Sequence, residues 1–118
     1  MTKFIHFDLD EFSCPHCGKN KIETSFVKDL DQAREDAGIP FKINSGYRCP
    51  VHNMKIGGTE NSAHVYGVAS DIECLTSRYR FKILNSLIFV GFTRIGIAED
   101  FIHVDSDKNK DPEVVWLY

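Results

Sequence analysis

A chain of 118 residues with 42% apolar and 26% charged residues fits one soluble globular domain, residues 1–118, able to bury a core without disulfide staples. Its formal charge of −3 argues against a nucleic-acid partner, which would favour a basic face. No apolar run reaches the ~20 residues that span a bilayer, and acidic Met1–Asp10 lacks the apolar core of a secretory signal. Synthesis in the cytoplasm and no membrane partner are therefore expected.

Phe4-Ile5-His6-Phe7-Asp8 alternates like an edge strand and echoes Phe101-Ile102-His103-Val104-Asp105. Five residues are too few for a repeat, so His6 is not read as a ligand. Cys14-Pro15-His16-Cys17 has the gap of a zinc knuckle or a redox pair. A knuckle needs a second pair, and Cys49 and Cys74 stand apart. The pair is read as a turn with reduced thiols and left out of the metal set.

Thr24 or Ser25 caps a helix to about Ala37, with Phe26, Val27, Leu30 and Ala33 at helical spacing and Gly38 and Pro40 as its stop. Phe41–Asn44 reads as a strand and Ser45-Gly46 as a turn. Pro50–Ile56 reads as a short helix ended by Gly57-Gly58. The polar stretch Gly58–Gly67 is a loop, and Val68–Cys74 alternates as a strand with Ala69, Asp71 and Glu73 on one face. Ser77 caps a second helix to about Val90, with Phe81, Leu84, Leu87 and Ile88 as its buried stripe and Gly91 as its end. Thr93–Ile97, Phe101–Ser106 and Glu113–Leu117 complete the chain as strands, and their short connections favour antiparallel pairing in an α+β domain.

On this frame Asp71 and His103 can face one side of a sheet while His64 folds over them from the loop. Two imidazoles and a carboxylate suit a divalent ion such as zinc, and three protein ligands leave the fourth position open, as a catalytic site requires. Gly67 allows the tight turn between loop and strand. Small Ala69 leaves room beside Asp71. Asp105 shares the face of His103 and can accept its outer ring N–H. Water held by such an ion has its pKa lowered to about 7. A proton carrier is then needed, with Asp100 the first candidate and Glu99 and Glu73 behind it. Arg48, on the turn Ser45-Gly46-Tyr47-Arg48-Cys49-Pro50, is the candidate cation for an oxyanion. Tyr47, Tyr66 and Trp116 read as core or groove-wall aromatics.

The segment Ser62-Ala63-His64-Val65-Tyr66-Gly67-Val68-Ala69-Ser70-Asp71 resembles the Ser-x-His-x-x-Gly-x-Ala-x-Asp pattern of the zinc D-Ala-D-Ala carboxypeptidase family, which also includes phage endolysins. His103 in Phe-Ile-His-Val-Asp stands where that family has its third ligand. Ser45-Gly46-Tyr47-Arg48-Cys49-Pro50 with His52-Asn53 resembles its carboxypeptidase branch, and the likeness runs from Phe12 to Tyr118.

The resemblance implies a small antiparallel sheet flanked by helices, as in the hedgehog/DD-peptidase group. It implies one zinc ion held by His64, Asp71 and His103, with Arg48 and Ser62 toward substrate. The substrate would be a peptidoglycan stem peptide or cross-bridge, and a monomer is the expected state. A phage or prophage product released to the cell wall would reconcile cytoplasmic synthesis with that substrate. The vancomycin-resistance dipeptidases of the family carry a glutamate where this chain has Asp100. D,D, L,D and L-Ala-D-Glu bonds all remain open, and the hedgehog domain keeps alive a non-catalytic zinc-containing binding module of the same fold.

Overall fold

The structure, a computed structural model, describes residues 4–118. A 3₁₀ turn at Leu9–Phe12 precedes α1 (Thr24–Ala37), β1 (Ile43–Ser45), α2 (Pro50–Lys55), β2 (Ala69–Glu73), α3 (Ser77–Phe89), β3 (Arg94–Ile97), β4 (Phe101–Asp105) and β5 (Val114–Leu117). Each expected helix and later strand is present, with ends shifted by a residue or two. Both long helices start one position from the expected caps. Glu23 is the N-cap of α1, without a side-chain bond, and Thr76 caps α3 by accepting the Tyr79 N–H. Gly38 ends α1 in the left-handed region, where an L side chain is disfavoured. Among the described residues no helix is long and apolar enough to cross a membrane.

The five strands form one sheet in the order β1-β2-β4-β3-β5. The pairs β1–β2, β2–β4 and β3–β4 are antiparallel, as expected, but β5 runs parallel to β3, so the sheet is mixed. The reason lies in occupancy: β4 already has β2 on one side and β3 on the other. That leaves free edges at β1 and β3, and the chain leaving β4 takes the nearer one, beside β3, where its direction matches that strand.

Strand alternation divides the sheet into two faces. Ile72, Ile95, Ile102 and Val104 enter the core, where Phe26, Val27, Leu30 and Ala33 of α1 and Ile83 and Leu87 of α3 cover them. Burying one such aliphatic or aromatic side chain contributes ~1.5–3 kcal/mol, which makes this face the main source of stability. The stripe of α3 differs from the expected one. Phe81 and Ile88 are exposed, while Ser86 is buried and donates its hydroxyl to the Ile83 carbonyl, 2.9 Å away. A small side chain that satisfies itself on its own helix can sit in the interface, and the helix turns accordingly.

Residues 4–8 do not join the sheet. The main-chain N–H groups of Ile5 and His6 donate to the buried Asp31 carboxylate of α1, at 2.6 and 2.8 Å, and the His6 ring meets Glu35. The sheet's second face, left uncovered by the long helices, carries Asp71, Phe101, His103 and Asp105.

Candidate metal centre

Two of the three candidate ligands owe their placement to register. Asp71 of β2 pairs directly with His103 of β4, so both side chains rise from one face of adjacent strands. His64 approaches from the 58–67 loop. That loop is closed by Gly67 at φ +73°, where any side chain would also run into the Lys21 carbonyl. The Ser62 hydroxyl accepts the His64 N–H at 3.2 Å, shaping the turn that delivers the ring. Ser62 therefore both lines the cavity and holds His64.

The ring nitrogens have divided roles. His64 Nδ1 lies 2.8 Å from the Gly46 carbonyl, which only accepts, so Nδ1 carries the proton and Nε2 is left free, 3.3 Å from Asp71 Oδ1. His103 Nδ1 lies 3.0 Å from the same Oδ1, and its Nε2 lies 2.7 Å from Asp105 Oδ2. Asp105 is in turn held by Arg94, 2.8 Å away, and by the Asp107 N–H. The ligand atoms lie within 4.8 Å of one another. Zinc bonds of ~2.0–2.2 Å to N and O place neighbouring ligand atoms ~3.4 Å apart in a tetrahedron, close to the separations found. Outer nitrogens bonded to a carbonyl and a carboxylate are the usual supports of metal-bound histidines. The donor set fits a divalent cation.

Electrostatics agree. Burial pushes the Asp71 carboxyl up, but the His103 and His64 rings beside it reverse this and hold it well below the usual carboxylate range. Burial pushes His103 down, yet Asp105 and Asp71 outweigh it and keep the ring's proton affinity above the ordinary value. For Asp105, burial raises the carboxyl, while His103, the Asp107 N–H and Arg94 hold it low. Acceptors crowd the inner nitrogens, which therefore demand a proton or a metal.

The ligands sit on the wall of a cavity of about 480 Å³. Arg48 also lines it. A register shift between Ile43 and Ser45 bends β1 across Asp71, and Arg48 follows that bend. The guanidinium is clamped by Ser45 (3.0 Å), Asn53 (3.1 Å) and Asp71 Oδ2 (3.2 Å). Opposite, Trp116 of β5 reaches over Gly96, whose missing side chain is required because a Cβ would lie 2.5 Å from the indole nitrogen. The indole thereby stands 5.4 Å from the His103 ring, and Tyr118 extends the wall. Tyr47 is buried and Tyr66 is exposed.

The proton-carrier candidates are not brought together with the ligands. Asp100 and Glu99 are exposed in the β3–β4 turn, where the Asp100 carbonyl accepts the Cys74 N–H. Glu73 shares the face of Asp71 but pairs with Lys42 at 3.1 Å beside a different cavity. The carboxylates lining the metal cavity are Asp71 and Asp105, both engaged.

Sequence reasoning assigned no role to Arg94 or Asn53. Arg94 is recognisable only as the partner of Asp105, and Asn53, though within the stretch that resembles the carboxypeptidase branch, takes its role from its contact with Arg48. Sequence reasoning also left aside Cys14, Cys17 and Cys49, whose sulfurs converge.

Two histidines and an aspartate at a cavity wall, with one side open, are the kind of donor set that metal-dependent hydrolases use. Residues 5–105 match the Peptidase M15 family, and the chain belongs to that family of metallopeptidases. Compared with curated proteins, the chain matches none.

Proposed function

We propose that the chain is a zinc-dependent peptidase that hydrolyses a peptide bond in peptidoglycan stem peptides or cross-bridges, as a D,D-carboxypeptidase or an endolysin-type endopeptidase. The observation that carries this reading is the position of Arg48, 3.2 Å from the ligand carboxylate and facing the same cavity. A guanidinium has five N–H donors, and three are engaged by Ser45, Asn53 and Asp71. The other two suit a substrate carboxylate or the oxygen of a reacting carbonyl, beside the place where charge develops. Stem peptides offer free carboxylates close to their scissile bonds.

His64, Asp71 and His103 would hold the ion, which when bound supplies Lewis acidity and an activated water. Arg48 binds and orients the peptide. Asp105 fixes the His103 ring by accepting its outer N–H, and Arg94 holds Asp105 in place. Trp116 and Tyr118 form the wall against which the substrate backbone lies.

A second reading, a non-catalytic zinc-containing binding module, draws on the engagement of both cavity carboxylates. Defined muropeptides incubated with the protein and followed by mass spectrometry separate the two. Product release that stops with a chelator and returns with zinc supports the peptidase and identifies the bond. Retention of intact muropeptide, without product, supports the module.

A further inference from the structure

Away from the cavity, the chain repeats a short pattern. Cys14-Pro15-His16-Cys17 and Cys49-Pro50-Val51-His52 both read Cys-Pro-x-ligand, with two residues between potential metal donors. The fold brings the two copies together: the sulfurs of Cys14, Cys17 and Cys49 lie within 4.8 Å of one another, and all three thiols are free. We propose that Cys14, Cys17, Cys49 and His52 hold a second divalent cation, of zinc's type, in a closed structural site independent of the hydrolytic centre.

Three features of the geometry carry this. First, three sulfurs gathered at one point exceed what a disulfide can use, because one bridge leaves the third thiol beside it. Zinc–sulfur bonds of ~2.3 Å set sulfurs ~3.8 Å apart in a tetrahedron, a spacing that such a cluster accommodates. Second, main-chain N–H groups already point at the sulfurs. Cys14 Sγ accepts the Cys49 N–H at 3.4 Å, and Cys49 Sγ accepts the His52 N–H at 3.4 Å. Bonds of this kind favour thiolate over thiol and so prepare a soft ligand set.

Third, imidazoles stand beside the sulfurs. The His16 and His52 rings stack with centroids 6.0 Å apart, and His16 Nδ1 lies 3.6 Å from Cys49 Sγ. Spacing selects His52 as the fourth ligand, since it stands to Cys49 as Cys17 stands to Cys14. The His16 ring, from the first turn, stacks on that of His52. Four protein ligands close the coordination shell, which gives the site a structural role. None of the three sulfurs lines the hydrolytic cavity.

Such an ion would join residues 14–17 to the segment that carries Gly46, Tyr47 and Arg48. Those segments already meet where the Tyr47 N–H donates to the Phe12 carbonyl at 2.8 Å. The staple therefore braces the turn that supplies Arg48 and the Gly46 carbonyl for His64.

The test uses the full chain, stripped of metal by a chelator under reducing conditions and titrated with cobalt(II) and then zinc. Native mass spectrometry gives the stoichiometry, and thiolate-to-cobalt charge-transfer absorption reports the sulfur site alone, because the hydrolytic centre has no sulfur ligand. Two equivalents are expected in the unaltered protein. Cys17→Ser, at an exposed position, loses one equivalent and the charge-transfer band, whereas Asp71→Ala loses the other and keeps the band. His52→Ala weakens the sulfur-bound metal by at least the ~10–100-fold that loss of an outer-shell partner costs, and His16→Ala leaves it unchanged. One equivalent and no band in the unaltered protein would overturn the proposal. A disulfide among Cys14, Cys17 and Cys49 in protein purified with zinc would do the same, as would unchanged affinity in His52→Ala.

Discussion

The His64–Asp71–His103 group and the Cys14–Cys17–Cys49 group each gather ligand atoms within 4.8 Å, yet they are built in opposite ways. In the first, two ligands occupy paired positions on adjacent strands, and the outer ring nitrogens are held by Gly46 and Asp105. The sheet holds that geometry before any ion arrives, so one side can stay open for chemistry. In the second, the donors lie on the 14–17 turn and at the N-terminal end of α2, segments 35 residues apart that meet through an N–H···S contact. A set divided between segments that no sheet pairs gains much of its order from the ion itself, and metal binding there becomes folding free energy. An open vertex needs a rigid frame, and a closed one can create its own.

That contrast can be broken most severely at Asp71. Asp71→Ala removes the carboxylate shared by both imidazoles, and hydrolysis should fall to background together with loss of the cavity metal. Metal analysis beside a peptide-cleavage assay checks both. Retention of the cavity metal at full affinity would mean that the histidines alone suffice. Arg48→Ala should spare that metal and lower turnover by ~10²–10³-fold, the range for losing one preorganised donor at a developing oxyanion. Full activity in this variant would remove Arg48 from the mechanism and, with it, the strongest support for a carboxylate-bearing substrate.

Asp105→Asn tests the frame and leaves the ligands in place. It retains a side chain of the same shape but loses the charge that orients His103, so metal affinity should fall by ~10–100-fold in a chelator competition. A smaller effect is expected from pH on the metal-free protein. Asp71, normally near 3.8, is lowered by folding, so its stabilisation is present above that value and is lost as pH falls through the depressed one. His103, normally near 6.5, is raised, so its contribution is complete below that value and is lost as pH climbs through the elevated one. Chemical denaturation of the metal-free chain should therefore show greatest stability between about 4 and 6.5. A cation held by His103 would take the place of the imidazole proton on the inner nitrogen, so the loaded protein should keep its stability further into the alkaline range.

The ligands were legible because their identities and order form a motif, and strand alternation alone put Asp71 and His103 on a usable face. The α3 stripe was misjudged because Ser86 is polar in composition but satisfied in place, so counting apolar residues overlooked it. The parallel β5 was hidden because strand neighbours depend on which edges are already taken. The second donor group was missed when only cysteines were matched with cysteines. Cys49-Pro50-Val51-His52 holds the same two-residue gap with a histidine at its end. Arg94 had no local signal, since it acts on Asp105 across a strand pair, and Asn53, though it belongs to the stretch that resembles the carboxypeptidase branch, shows its hold on Arg48 only once α2 is folded.

The smallest effect is expected at Asp100, and it exposes a difference between strands and helices. Three residues before His103 would be nearly the same face on a helix, but β4 is extended and begins at Phe101, so Asp100 falls ~10 Å back along the chain, in the bend that precedes the strand. Accordingly the Asp100 side chain is exposed in the β3–β4 turn, while its carbonyl, which substitution leaves intact, accepts the Cys74 N–H at 2.9 Å. Asp100→Asn should leave both metal content and turnover within about twofold of the unaltered protein, as surface substitutions usually do. A fall of ~10²-fold with metal retained would be the mark of a general base. It would mean that the β3–β4 turn folds over the cavity when substrate binds, and that the rigid frame of the open site includes a mobile rim.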